Sequence, residues 1–183
     1  MRKLDKDDLL SRAVAKVKQQ DYSPKAKIEG VQFIEVRNFP AEDGNFLELG
    51  RFNERGELET IPGFKVEQIS YSLMLPGAIK AWHIHFNQED VWFVPSEDRL
   101  LVGLVDLRKD SPTHGVQMRF TMGGGKSQLL YIPRGVAHGV ANLGPNEARI
   151  IYYVNQKFSV TDTDERRLSW DTFGSDFWKF KYE

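Results

Sequence analysis

Residues 77–89 read "GAIKAWHIHFNQE", and residues 133–142 read "PRGVAHGVAN". Between them they hold His83, His85 and His138, three of the chain's four histidines; the fourth is His114. Alternate residues of an extended strand share a face, so His83 and His85 point together and Ile84 points away. Glu89 follows a turn later, and His138 belongs to a separate strand-like run. Three imidazoles and a carboxylate suit one divalent transition metal such as Fe, Mn, Ni or Zn, with His83, His85, Glu89 and His138 as ligands. The same residues also allow metal-free chemistry in which one imidazole is a proton-transfer base, because its charge changes near working pH.

Around these stretches the chain is a series of short β-branched and aromatic runs separated by Gly, Pro, Asn and Asp. Strands are expected at 31–36, 45–51, 66–74, 79–85, 90–94, 100–107, 116–121, 128–132, 136–141 and 147–155. With no strand-helix alternation, the class is all-β, a sandwich or barrel. "MGGGKS" (122–127) reads as a hairpin turn, since a phosphate loop needs a different glycine spacing and a following helix. Upstream, Leu9, Leu10, Ala13, Val14 and Val17 fall at helical spacing behind Asp5, Asp7 and Asp8, which predicts a short amphipathic helix over residues 5–20.

A chain of 183 residues suits one domain with a single core. Its 25 Lys+Arg against 26 Asp+Glu, with no block of like charge, point away from nucleic acid and membrane partners. The absence of cysteine excludes disulfides and thiolate metal sites. Without a signal-like or membrane-spanning apolar run, a cytoplasmic protein is expected.

The two histidine stretches resemble the two motifs of the cupin superfamily, the first carried by Gly77, His83, His85 and Glu89, the second by Pro133, Gly135, His138 and Asn142. The resemblance implies a double-stranded β-helix, or jelly roll, over 28–183, with 1–27 as an N-terminal helical extension. A narrower resemblance, over roughly 28 to 160, is to the dTDP-4-dehydrorhamnose 3,5-epimerase family, a metal-free branch of that fold. "FPAEDGNFLE" (39–48) keeps Phe39, Gly44, Phe46 and Glu48 of its opening pattern. "GAIKAWH" runs from Gly77 through Lys80 to His83, with Gln68 and Ser72 upstream. "VDLRKDSPTHG" (105–115), "YIPRGVAHGVANL" (131–143) and "RIIYYVNQKFS" (149–159) are similar to three further family segments.

That resemblance implies an enzyme without cofactor that removes a proton beside the C4 ketone of a nucleotide-linked deoxysugar and returns one to the opposite face. His83 is then the base and Tyr152 the acid. Lys80, Phe39, Phe46, Glu48, Gln68, Arg108 and His138 hold the substrate, and the expected assembly is a homodimer in which some of these residues reach the neighbour. The chain departs from the family in several places. The family's aspartate behind the base, in a C-terminal segment, has no counterpart in "SDFWKFKYE", which leaves Asp171 and Asp176 as substitutes. Its ketone-directed lysine falls on Phe93, an arginine of its opening motif on Asp43, and its second tyrosine on Phe158, while His85 replaces a glutamine.

Two other functions remain open on the sequence: a metal-dependent oxygenase or isomerase using the His/His/Glu/His set, and a sugar-binding cupin without chemistry. His114, in a turn, reads as exposed, and Tyr152 and Tyr153 exchange faces with a one-residue change of register. "TDTDERRLSWD" (161–171) reads as a solvated charged segment, followed by "DFWKF" (176–180) as an aromatic anchor docking on the body.

Overall fold

The computed structural model describes residues 1–161 and 163–181. Two five-stranded antiparallel sheets face each other. The first has the order β1 (Gln32–Glu35), β9 (Gln128–Ile132), β6 (Asp90–Phe93), β11 (Ala148–Val154), β4 (Gln68–Met74). The second runs β12 (Arg166–Arg167), β5 (Ile79–Ile84), β10 (Val136–Ala141), β7 (Arg99–Asp106), β8 (Gln117–Gly123). A separate hairpin pairs β2 (Asn38–Ala41) with β3 (Gly44–Leu47). This is the jelly roll expected from the sequence.

The core between the sheets is built from the inward positions of both, among them Met74, Trp92, Leu100, Val102, Leu104, Met122, Leu130, Ile132, Val140 and Ile150. A second cluster covers the outer face of the first sheet, where Leu58, Ile61 and Phe64 pack on Val91, Phe93, Leu129 and Tyr153. The third lies on the outer face of the second sheet, where Phe177 and Trp178 of the tail pack on Trp82, Ile84, Leu101, Val105, Ala137 and Ala141. Burial on both faces explains why β7 ("RLLVGLVD") and β10 ("VAHGVA") lack the alternation of a half-exposed strand.

The docked tail is the aromatic anchor expected at 176–180. Trp82 lies 4.7 Å from Trp178 and 4.8 Å from Phe177, centroid to centroid, and both indoles donate to the Trp170 carbonyl at 3.1 Å. A side chain at Gly103 would enter this cluster, its Cβ falling 2.5 Å from Phe177 and 2.6 Å from Trp82. Trp178→Ala is expected to cost about 3–5 kcal/mol, the range for emptying a large buried aromatic site. Urea unfolding would register this as a lower midpoint, and a midpoint equal to wild type would mean the tail contributes no stability.

Two expectations are corrected. Residues 5–20 form only a 3-10 turn (Lys6–Asp8) capped by Asp5 and a single turn of helix, α1 (Ser11–Val14). None of residues 1–27 is buried, so the apolar stripe has no surface to cover, and a helix this short is marginal without packing. The strand expected at 45–51 is instead the hairpin β2–β3, which includes Pro40; proline is tolerated there because the ribbon stands apart from the sheets.

Candidate active site

A cleft of about 500 Å³ opens between the two sheets, lined by β4, β5, β6, β10, β11 and residues 156–167. The pleat of β5 turns Trp82 and Ile84 toward the tail cluster, while His83 lines the cleft together with His85 just beyond the strand. The pairing of β10 with β5 shifts register between His138 and Val140, leaving one extra residue on β5. Gly139 makes that shift possible, because its Cβ would fall 2.4 Å from the Ala81 Cβ and 3.0 Å from the Lys80 carbonyl. His138 then sits opposite His83, with their rings parallel and 6.2 Å apart.

From the facing sheet, Tyr152 enters the cleft with its ring edge-on to Trp92 at 5.6 Å, while Tyr153 packs into the outer cluster. Burial pushes the Tyr152 hydroxyl up to about 12 against a hydrogen bond with Ser72, so it is a neutral phenol in any ordinary buffer. His83 is held below its ordinary value by burial first and the Arg167 guanidinium second, with Glu165 pulling the other way. A neutral His83 can accept a proton and a neutral Tyr152 can give one.

Deeper in, Asp90 lies between two histidines, 3.7 Å from His138 Nε2 and 4.0 Å from His85 Nε2. Its oxygens accept from Gln88 Nε2 at 2.8 Å and Trp92 Nε1 at 3.0 Å. His138 Nδ1 is 3.0 Å from the Val136 carbonyl and His85 Nδ1 is 3.1 Å from that of Asp164, so each ring turns Nε2 inward. Burial pushes His138 below its ordinary range. The ligating atoms of His85, Asp90 and His138 lie within 4.8 Å of one another, close enough to hold a metal ion. This is not the set expected from the sequence. Glu89 faces away, its backbone N–H donating to Asn155 and its carboxylate accepting from the Asn155 amide at 3.2 Å, and its neighbour Asp90 takes the inward place.

Lys80, Gln68 and His138 also line the cleft. Lys80 donates to Ser72, and Gln68 accepts from the Phe158 backbone at 3.0 Å while donating to Ser70. Four expected substrate contacts do not line it. Phe39 and Phe46 are exposed on the hairpin, and Glu48 pairs with Arg51 at 3.0 Å. Arg108 is bound by two nitrogens to Asp106 and by a third contact to the Glu29 carbonyl, and Asp106 also accepts from Ser111 and Thr113. The segment "VDLRKDSPTHG" therefore builds a closed turn. Phe93 lies in the outer cluster, so no side chain from that position enters the cleft.

The cleft wall that sequence reasoning missed is the charged segment, expected to be solvated. Asp164, Glu165 and Arg167 line the cleft, and β12 pairs with β5, setting Arg167 opposite His83. Lys157 joins them. The only signal for this pairing in the sequence is the brief alternation through "ERRLSW", too short to separate from a loop. Asp162 of this segment, and Tyr182 and Glu183 of the tail, lie outside the described residues.

Asp164 clasps the turn after β5, its carboxylate accepting from the backbone N–H groups of Phe86, Asn87 and Gln88 at 2.7–3.1 Å. Burial acts to raise its pKa, but the three amides outweigh burial and hold it below the usual aspartate value. Such a group contributes fully above its unfolded pKa and loses that contribution as pH falls through the folded one, so the clasp should open below about pH 4. Hydrogen-exchange protection of these amides is expected to fall as pH is lowered stepwise below the ordinary aspartate range. Protection that never falls before the whole domain unfolds in acid would remove Asp164 as the clasp.

Fold and cleft together define a cupin, with an imidazole from one sheet and a phenol from the other lining the same cleft. The chain belongs to the dTDP-4-dehydrorhamnose 3,5-epimerase family, whose model matches residues 25–177. It is 38% identical over 144 residues to the spore coat polysaccharide biosynthesis protein SpsL of Bacillus subtilis, covering 79% of this chain and 91% of that one. To the probable low-salt glycan biosynthesis epimerase Agl13 of Haloferax volcanii it is 32% identical over 141 residues, 75% of this chain and 87% of that one. The crystal structure of a dTDP sugar isomerase from Desulfovibrio desulfuricans G20 superposes with a TM-score of 0.68 at 29% identity, covering 84% of this chain and 91% of that one. Among the described residues no helix is long and apolar enough to cross a membrane.

Proposed function

We propose that this protein epimerises a nucleotide-linked 4-keto-deoxysugar at C3, C5 or both, with His83 removing the proton and Tyr152 returning one to the other face, without metal. The observation that carries this reading is that His83 from β5 and Tyr152 from β11 line one cleft from facing sheets. Inversion needs a base and an acid on opposite faces of the same carbon. The C4 ketone makes the proton labile, because the carbanion is held as an enolate. Lys80, Lys157 and Arg167 are the cations lining the cleft, and the diphosphate and the enolate oxygen draw on them. Gln68 and His138 bind the sugar as neutral polar groups.

A homodimer completes the reading. β4 is a sheet edge whose outward residues Ile69, Tyr71 and Leu73 are exposed, and a second copy would cover them. Phe39, Phe46 and Glu48, on and beside the free hairpin, are then placed to reach the partner's substrate. A cytoplasmic location fits a substrate that carries a nucleotide.

The experiment is incubation of dTDP-, UDP- and GDP-linked 4-keto-6-deoxysugars with the protein in D2O, with and without EDTA, following carbon-bound deuterium by NMR. Incorporation with inversion, unchanged by the chelator, is expected. Binding without incorporation would favour a non-catalytic sugar-binding protein, and activity lost to EDTA and restored by one metal would move the chemistry to His85, Asp90 and His138.

A further inference from the structure

Deep in the cleft, three hydrogen-bond acceptors converge. The carbonyls of Val136 and Asp164 can only accept, so the Nδ1 atoms of His138 and His85, facing them at 3.0 and 3.1 Å, carry the ring protons. A neutral ring then keeps a lone pair on Nε2. Both of these atoms face the Asp90 carboxylate, His138 Nε2 at 3.7 Å from Oδ2 and His85 Nε2 at 4.0 Å from Oδ1. All three residues are buried. Nearby N–H groups offset the crowding only in part. Gln88 Nε2 donates to Asp90 at 2.8 Å and lies 3.3 Å from His85 Nε2, and Trp92 Nε1 donates to Asp90 at 3.0 Å. Among the described residues, His138 Nε2 has no hydrogen-bond partner. Acceptors packed together out of water cost free energy unless a cation stands between them.

We propose that His85, Asp90 and His138 form a site for one borderline divalent transition metal, such as zinc, whose binding excludes the sugar from His138. Two imidazole nitrogens and a carboxylate are the donor set that such ions take. Backbone carbonyls at the far ring nitrogens are the supports by which metal-ligating histidines hold their orientation. Two ligand atoms about 2.1 Å from a tetrahedral ion stand about 3.4 Å apart. Here the three ligand atoms lie within 4.8 Å of one another, so shifts of about 1 Å or less at each side-chain tip bring them onto one ion. Magnesium and calcium, which take oxygen ligands, do not suit two nitrogens.

This set is not the four residues expected from the sequence. Glu89 is turned to Asn155, and His83, its ring parallel to that of His138 at 6.2 Å, presents Nδ1 to Glu165 and stays outside the site. The ligands come from both sheets, Asp90 from β6, His138 from β10 and His85 from the turn after β5. A bound ion therefore ties the sheets together and stabilises the fold by mass action. It also takes the His138 lone pair, so His138 serves either the ion or the sugar; that consequence alone rests on the epimerase reading.

The test begins with full-length protein stripped of metal by EDTA and then freed of the chelator. Zinc chloride is titrated in and followed by calorimetry, thermal unfolding and 15N NMR of the histidine rings. Wild type is expected to take up a single zinc per chain, to rise in Tm, and to show coordination shifts at Nε2 of His85 and His138 but not of His83. Magnesium chloride is expected to do none of this. His85→Gln and Asp90→Asn should each weaken zinc by at least about 10- to 100-fold, the loss that follows from removing a ligand's support alone. His114→Ala, in an exposed turn, should bind as wild type does. Circular dichroism guards against misfolding of the variants, and the wild-type ring shifts need no variant. No zinc uptake, uptake unchanged in both site variants, or coordination shifts at His83 in place of His85 overturns the site. In the D2O assay, with each protein compared to its own metal-free rate, zinc should raise the apparent KM of wild type and have little effect on His85→Gln. A wild-type KM indifferent to saturating zinc overturns the exclusion of the sugar. Calorimetry and ring spectra need no sugar, so failure of the epimerase reading, seen as no exchange by metal-free wild type on any 4-keto sugar, is a separate result.

Discussion

Exchanging His83 for asparagine is expected to abolish deuterium incorporation into a 4-keto sugar, turnover falling by about 10²- to 10⁴-fold, the contribution of a positioned base. Asparagine keeps a polar side chain at the cleft wall but has no group that takes a proton near neutral pH. Because burial and Arg167 hold His83 below its ordinary value, the wild-type rate should rise with pH along a limb that lies to the acid side of an ordinary histidine's. Tyr152 adds no alkaline limb in the usual range, its hydroxyl lying near 12. Retention of exchange by His83→Asn, at any pH, would move the base to another residue and remove the mechanism given above.

Tyr152→Phe should separate two events that His83→Asn removes together. With the phenol gone, His83 can still take a proton and return solvent deuterium from its own face, so label should enter with retained configuration. Net inversion is expected to fall by about 10²- to 10⁴-fold, the range for a general acid. The substitution removes one oxygen from a ring fixed edge-on against Trp92, so binding of the nucleotide sugar should change little. The informative measurement is the ratio of labelled starting sugar to labelled epimer. If that ratio is unaltered, Tyr152 is not the acid, and a cleft donor such as Lys80 or His85 takes its place in the proposal.

The sequence carried the architecture well because period-two patterning and turn residues are local. The runs at 128–132 and 136–141 coincide with β9 and β10, and most others agree within two residues. The site was legible where it lies on those strands: His83, His138, Lys80, Gln68 and Tyr152 all reach the cleft. It was misread where register or long-range pairing decides. Glu89 and Asp90 are adjacent, and only the start of β6 at Asp90 determines which carboxylate turns inward. "VDLRKDSPTHG" is similar to a family segment, and Asp106 consumes Arg108, Ser111 and Thr113 there in a turn, so its pattern specifies local shape. Glu165 and Arg167 looked like solvent-facing charge because their partner strand lies some 80 residues away, and no local rule encodes that meeting.

Three tryptophans mark where that distant meeting occurs. Trp82 is on β5 directly before His83, while Trp170 and Trp178 arrive with the tail, Trp170 through its carbonyl and Trp178 through its ring. Indoles as close as Trp82 and Trp178 couple their electronic transitions, so the native chain carries an intrinsic optical gauge in its near-ultraviolet circular dichroism and emission. The gauge reads the docked tail, which continues from the β12 strand that pairs with β5 and sets Arg167 opposite His83. Loss of the coupled signal and loss of the β12 wall of the cleft should therefore coincide along any denaturation or refolding course, and a spectrometer can time the completion of this cleft with no sugar present.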